Sequence, residues 1–211
     1  MTRQLQMKYS HILTGEFSIK DLNLMLVFQV NCPGCFLHAF PMAFELHERY
    51  HKLGLNFFAL STAFEDFQYN NLANTQKFIE QGQLIGVTKN TFERNGLIFP
   101  KRPIKFPVLF DQLGSGTELF NQDDVDYIFR THFAPRQPNL NQKDQAIQRI
   151  TDYVSNLPKA SYTFHLNQLP GTPTWVLFDS HYRILEQHFG HMSYDALSAQ
   201  LDERLSISQA S

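Results

Sequence analysis

The sequence predicts an α/β domain with a mixed central sheet flanked by helices. Three observations carry that prediction. Short apolar runs alternate with stretches of helical periodicity in the first half of the chain, two further strand-like runs close into a hairpin, and an amphipathic helix follows them. At 211 residues, 43% hydrophobic and 14% aromatic with 20 phenylalanines, the chain is long enough for one domain with a well-filled core.

Each element has a local justification. Residues 23–30 form a short, apolar run rich in branched side chains, as expected of a buried strand. Phe36, Phe40, Phe44 and His47 recur at helical spacing over 35–53, and Gly54 is a natural stop. Residues 55–62 read as a second strand, 71–81 as a helix halted by Gly82, and 106–111 as a third strand with Pro107 at its start. The runs 174–179 and 183–189, separated by Ser180-His181-Tyr182, predict the hairpin, and Leu197, Leu201 and Leu205 predict a helix over 193–205. The segment 112–165 is expected to be a helical insertion in a single domain spanning 1–211, with helices over 123–132 and 141–157. Its Tyr127, Phe129 and Phe133, with Arg130 and His132, are expected to pack the insertion onto the sheet, the alternative being a docking face.

Charge narrows the function classes. With 18 Lys and Arg against 20 Asp and Glu, the net charge of −2 gives no electrostatic case for nucleic acid or an acidic membrane. No apolar run approaches the roughly 20 residues of a membrane-spanning helix. The opening Met-Thr-Arg-Gln-Leu-Gln-Met-Lys lacks the apolar run of a secretory signal, so a cytoplasmic location is expected, where thiols are kept reduced.

The chemistry rests on the chain's 2 cysteines, in Cys32-Pro33-Gly34-Cys35 between a predicted strand and a predicted helix. A Cys-x-x-Cys pair at such a junction marks a thiol–disulfide redox site. At a helix N-terminus, free backbone N–H groups and the positive dipole end favour a thiolate, and the thiolate is the species that attacks a disulfide. Cys32 is therefore the candidate nucleophile and Cys35, one turn on, the resolving thiol. Pro33 suits a first helical turn, where its missing N–H is not needed. A zinc site would require two further ligands, which no other cysteine supplies. No cofactor beyond the redox-active pair is expected. His47 and His51, and the group His181, His188 and His191, read as ordinary surface histidines.

A second motif, Leu169-Pro170-Gly171-Thr172-Pro173-Thr174, precedes the fourth predicted strand. Together with the Cys-x-x-Cys pair, Phe106-Pro107-Val108-Leu109-Phe110-Asp111, the run Thr174-Trp175-Val176-Leu177-Phe178-Asp179 and the closing helix, it makes the chain resemble the thioredoxin superfamily, and within it the TlpA/ResA-like (redoxin) disulfide reductases. The resemblance covers residues 20–110 and 165–207. It implies a thioredoxin fold and a cis Pro173 facing the cysteines. It also implies a substrate strand paired with the backbone of Thr172, beside Pro33 and Gly34, and hence a disulfide-reducing enzyme. The implied partners are a protein or small-molecule disulfide and an electron donor.

The departures matter as much. Asn31 stands where an aromatic commonly precedes the first cysteine, Leu26 where thioredoxins carry a buried acid, and His38 where a glutamate is common. Pro41 comes one position later than the usual helix proline. On α-helical spacing His38 would share a face with Cys35, where an imidazole could relay the resolving thiol's proton, which makes it a candidate catalytic residue. Two other readings compete: a copper-binding module using Cys32, Cys35 and His38 as ligands, and a peroxiredoxin-like peroxidase. The second lacks the family's threonine, since Gln29 stands three residues before Cys32.

Overall fold

The strand predicted over 23–30 is the central strand β2, which runs Leu22–Phe28 and is buried along its whole length. It lies parallel to β3 (Leu55–Ser61), which is parallel to β4 (Val108–Asp111). On its other side β2 pairs antiparallel with β7 (Thr174–Asp179), which forms a hairpin with β8 (Ile184–Phe189). An edge strand, β1 (Tyr9–Thr14), pairs antiparallel with β4 and completes a six-stranded sheet of order β1-β4-β3-β2-β7-β8. The computed structural model describes residues 3–100 and 102–209; Met1 and Thr2 of the opening segment lie outside them.

Strand alternation divides the core between the two faces of the sheet. Leu24, Leu26, Phe28, Trp175 and Leu177 face helices α1 (Phe40–Tyr50), α2 (Leu72–Gln81), α3 (Gly86–Arg94) and α8 (Tyr194–Gln209). Phe36, Phe40, Phe78 and Phe99 close that face as edge-on and tilted ring pairs. Met25, Val27, Phe58, Leu60, Val176 and Phe178 face the other way, against Leu5, Phe164 and Leu169. Helix ends follow local chemistry: Asn71 caps α2 by accepting from the Asn74 N–H at 3.0 Å, and Gly82 ends it in the left-handed region at φ 65°.

The segment between β4 and β7 is helical, as expected, and has a small core of its own. It holds α4 (Gly116–Leu119), α5 (Gln122–Ile128), a π-turn (Phe129–Phe133), α6 (Leu140–Ser155) and α7 (Tyr162–Leu166). Leu119, Val125, Phe129, Ile150, Val154 and Tyr162 pack together, with Tyr127 and Phe133 against them, so these aromatics pack the insertion on itself and not, as expected, onto the sheet. A two-stranded ribbon, β5 (Leu113–Gly114) with β6 (Ala160–Ser161), joins the ends of the insertion.

Asp111, fully buried at the end of β4, ties the insertion to the sheet. Its carboxylate accepts from the Thr62 hydroxyl at 2.9 Å and from the Thr163 and Phe164 N–H groups at 3.0 and 3.2 Å. Burial outweighs these bonds and pushes its pKa from 3.8 up to about 6. The folded state thus holds this proton more tightly than the unfolded chain does. Its contribution to stability is fully present below the unfolded value and is lost as pH rises through about 6. Asp111→Asn has no such proton to lose. Measured by urea unfolding from about pH 4 to about pH 7, the difference between mutant and parent stabilities should shift in the mutant's favour as pH rises, and a pH-independent difference would exclude Asp111 as the titrating group.

Candidate redox site

The chain leaves β2 at Phe28 and turns helical at Pro33, so Cys32 sits at a helix start. The Cys35 N–H points back at Cys32, 3.0 Å from its carbonyl oxygen and 3.2 Å from Sγ. The two cysteines form a disulfide, with Cα atoms 5.4 Å apart. Their environments differ sharply. Cys35 is 0% exposed, packed in the same cluster as Phe36 and Phe40, whereas Cys32 is only half-buried.

The segment before β7 meets this helix start from the opposite side. The Thr172–Pro173 peptide bond is cis. Cys32 Sγ lies 3.5 Å from the Thr172 carbonyl oxygen, and a Cβ on Gly34 would stand 3.8 Å from Pro173 Cδ. The Gly190 N–H donates to the Pro173 carbonyl at 2.8 Å, and the Thr174 hydroxyl donates to the Gly171 carbonyl at 2.7 Å, which pins the loop at both ends. The exposed ring of Phe189 covers Gly171, where a Cβ would come within 2.6 Å of it.

Solved structures share this arrangement of strands and helices. A thiol-disulfide isomerase from Corynebacterium glutamicum superposes with a TM-score of 0.59 at 20% identity, over 97% of each chain. The chain has a thioredoxin-like fold. A second structure, described as a thioredoxin-like superfamily protein, superposes with a TM-score of 0.58 at 17% identity, again over 97% of each chain. No family model and no curated protein matches the sequence.

Within this thioredoxin-like frame the helix after the cysteines departs from expectation. Residues 35–53 are not one α-helix. A π-turn, Cys35–Ala39, precedes α1, and a 3-10 turn, His51–Leu53, follows it. Pro41 has no N–H to donate and its ring would strike the carbonyl of Leu37 in a regular α-helix. The wider turn, in which the Phe40 N–H reaches back to the Cys35 carbonyl, takes up one extra residue ahead of the proline. The late position of Pro41 is thereby accommodated. It also corrects the placement of His38: in a π-turn, residues three apart no longer share a face. Cys35 points into the core while His38 is exposed, its ring 4.7 Å from that of His191. No hydrogen bond joins His38 to either cysteine among the described residues.

Asn31, singled out in the sequence only as a missing aromatic, is the hub of a polar network. Its N–H donates to Asn70 Oδ1 at 2.9 Å, its Nδ2 donates to Asp66 at 2.9 Å, and its Oδ1 accepts the Val87 N–H at 2.6 Å. One side chain thus binds the 63–71 loop and the start of α3 to the residue before Cys32. Gly86 adopts φ 53°, and a Cβ there would overlap the Asn31 side chain. Leu26 is fully buried in the core, so no acid lies beneath the pair at that position. In the 64–69 segment, Phe64 stacks on Phe164 at 4.0 Å, a packing role.

The remaining histidines do not assemble a site. His47 and His51 stack at 5.0 Å, with burial lowering the His47 pKa, and His188 Nε2 pairs with Gln200. Among the described residues no three or more His, Cys, Asp or Glu side chains are grouped as metal ligands. Removing the Asn31 side chain should leave the Val87 N–H and Asp66 without their partner. Asn31→Ala is expected to lose about 2 kcal/mol in urea unfolding and to speed hydrogen exchange at the Val87 amide. Retained stability with unchanged exchange would show that the network is dispensable.

Proposed function

We propose that the chain is a TlpA/ResA-like thiol–disulfide oxidoreductase that reduces protein disulfides, with Cys32 as nucleophile and Cys35 as resolving thiol. The observation that carries this reading is the unequal exposure of the two sulfurs beside a pinned loop. Only the half-buried Cys32 can meet a substrate sulfur without the helix opening, and the Cys35 N–H, 3.2 Å from its Sγ, favours the thiolate. The reducing direction is what a cytoplasmic setting would impose.

The exchange runs in two balanced steps. The Cys32 thiolate attacks one sulfur of the substrate disulfide, forming a mixed disulfide and releasing the other sulfur as a thiolate. Cys35 then gives up its proton and attacks Cys32 Sγ, which re-forms the Cys32–Cys35 disulfide and releases the second substrate thiolate. Two electrons pass to the substrate, and an external dithiol donor must return them. The Thr172 N–H has no hydrogen-bond partner among the described residues, so an extended substrate segment can add to the loop as a short strand. Pro33 and Gly34 border that approach, with Pro173 setting the opposite wall, and the exposed Phe189 ring adds apolar surface.

Redox titration against dithiothreitol or glutathione, read by thiol trapping, tests the reading. A two-electron transition near the thioredoxin value of about −270 mV is expected, whereas one above about −180 mV would assign an oxidising role instead. Cys32→Ser should abolish insulin reduction, and Cys35→Ser should accumulate a mixed disulfide at Cys32. Reduction that survives Cys32→Ser would overturn the assignment of the nucleophile.

A further inference from the structure

Gln29 follows β2, three residues before Cys32, and is 2% exposed. Its Oε1 accepts the Thr172 hydroxyl proton at 3.2 Å. Its Nε2 is buried and has no hydrogen-bond partner among the described residues. Cys32 Sγ touches the same residue from the other side, 3.5 Å from the Thr172 carbonyl oxygen. The Gln29 amide and the Cys32 sulfur are therefore joined through Thr172.

Building on the exchange reaction proposed above, we infer that Gln29 is a positioning residue for it. The amide fixes Thr172 against Cys32, and its unpaired N–H favours the charged, reduced form of that sulfur. A buried donor without a partner is destabilising, and an apolar side chain of similar size would avoid the penalty. When the disulfide opens, the thiolate on Cys32, joined to Gln29 through Thr172, supplies the negative charge that this donor lacks. Burial of the amide, 2% exposed, strengthens that interaction at its Gln29 end. It opposes the Thr172 carbonyl dipole, whose oxygen faces the same sulfur and repels negative charge. It adds to the Cys35 N–H, which already points at Sγ. With Leu26 in place of a buried acid, no negative charge from that position competes with these donors.

The test compares the parent with Gln29→Met, which keeps the volume and removes the amide, and Gln29→Glu, which places a carboxyl in the same space. Both the reduction potential and the Cys32 thiol pKa of the full chain are measured, the latter by the pH dependence of iodoacetamide alkylation. Gln29→Met should raise the Cys32 pKa and lower the equilibrium constant for reduction about tenfold, equal to about 30 mV toward more negative potential. Gln29→Glu should shift both further. Thr172→Val, which removes the hydroxyl that Gln29 engages, should move the potential in the same direction and be non-additive with Gln29→Met. Should Gln29→Met fold poorly, this variant carries the test. Changes in thermal stability with pKa and potential unmoved would reduce Gln29 to packing and overturn the inference, as would a shift of opposite sign. If the parent itself shows no reversible two-electron transition, it is the exchange reading that fails.

Discussion

The antiparallel register of β2 and β7 is the constraint on which the site depends. Val27 pairs with Thr174, the last pair at that end of the two strands. Beyond it one strand runs on into Cys32 and the other is entered from Thr172 and Pro173, so these segments leave the sheet at the same edge and face each other. Because the side-chain period of a strand is two, a slip of one residue would turn Leu24, Leu26 and Phe28 out of their core and the opposite set into it. Burial of β2 on both faces forbids that slip. The approach of Pro173 to Gly34 and of Thr172 to Cys32 therefore rests on hydrophobic register more than on any bond between the loops themselves.

Around that fixed juxtaposition, polar side chains set the details, and each does so by joining segments distant in sequence. Asn31 binds the approach to Cys32 to the 63–71 loop and to α3. Asp111 holds the start of α7 against the end of β3. Gln29 reaches Thr172. All three are buried at the carboxyl ends of the parallel strands or just beyond, where open sheets form their crevices. Buried polar groups bonded in this way specify one arrangement, because any other leaves them unpaired at a cost.

This division explains what the sequence revealed and what it withheld. The central strands, the glycine stops at Gly54 and Gly82, the hairpin and the Cys-x-x-Cys pair were legible because each is encoded locally, in apolar runs, turn residues or spacing. Strand β1 was not: its Tyr9–Thr14 residues are largely exposed at an edge, and only pairing with β4 makes them a strand. Helix α3 buries little beyond Thr88 and Phe92, too few positions to show a period. The π-turn had a signal in the late Pro41, but its consequence for His38 needed the backbone. Asn31 and Gln29 looked like departures or bystanders because their partners lie in other elements.

The two sulfurs differ because of burial, and that asymmetry orders the chemistry proposed for them. Cys35 lies among Phe36, Phe40 and the fully buried Leu26, an apolar setting in which a thiol resists ionisation. Cys32 lies at the boundary with solvent, under the Cys35 N–H at a helix start, a setting that favours charge. In the proposed reduced pair the negative charge therefore belongs on the sulfur that substrate can reach, and the proton on the one it cannot. In the proposed reaction, attack comes first from Cys32. Cys35 acts only when the mixed disulfide has formed, since Cys32 Sγ is then the electrophile one turn away. With Leu26 in place of an acid and no hydrogen bond from His38 to either cysteine among the described residues, the proposed reaction would pass the Cys35 proton to water or to the departing substrate thiolate.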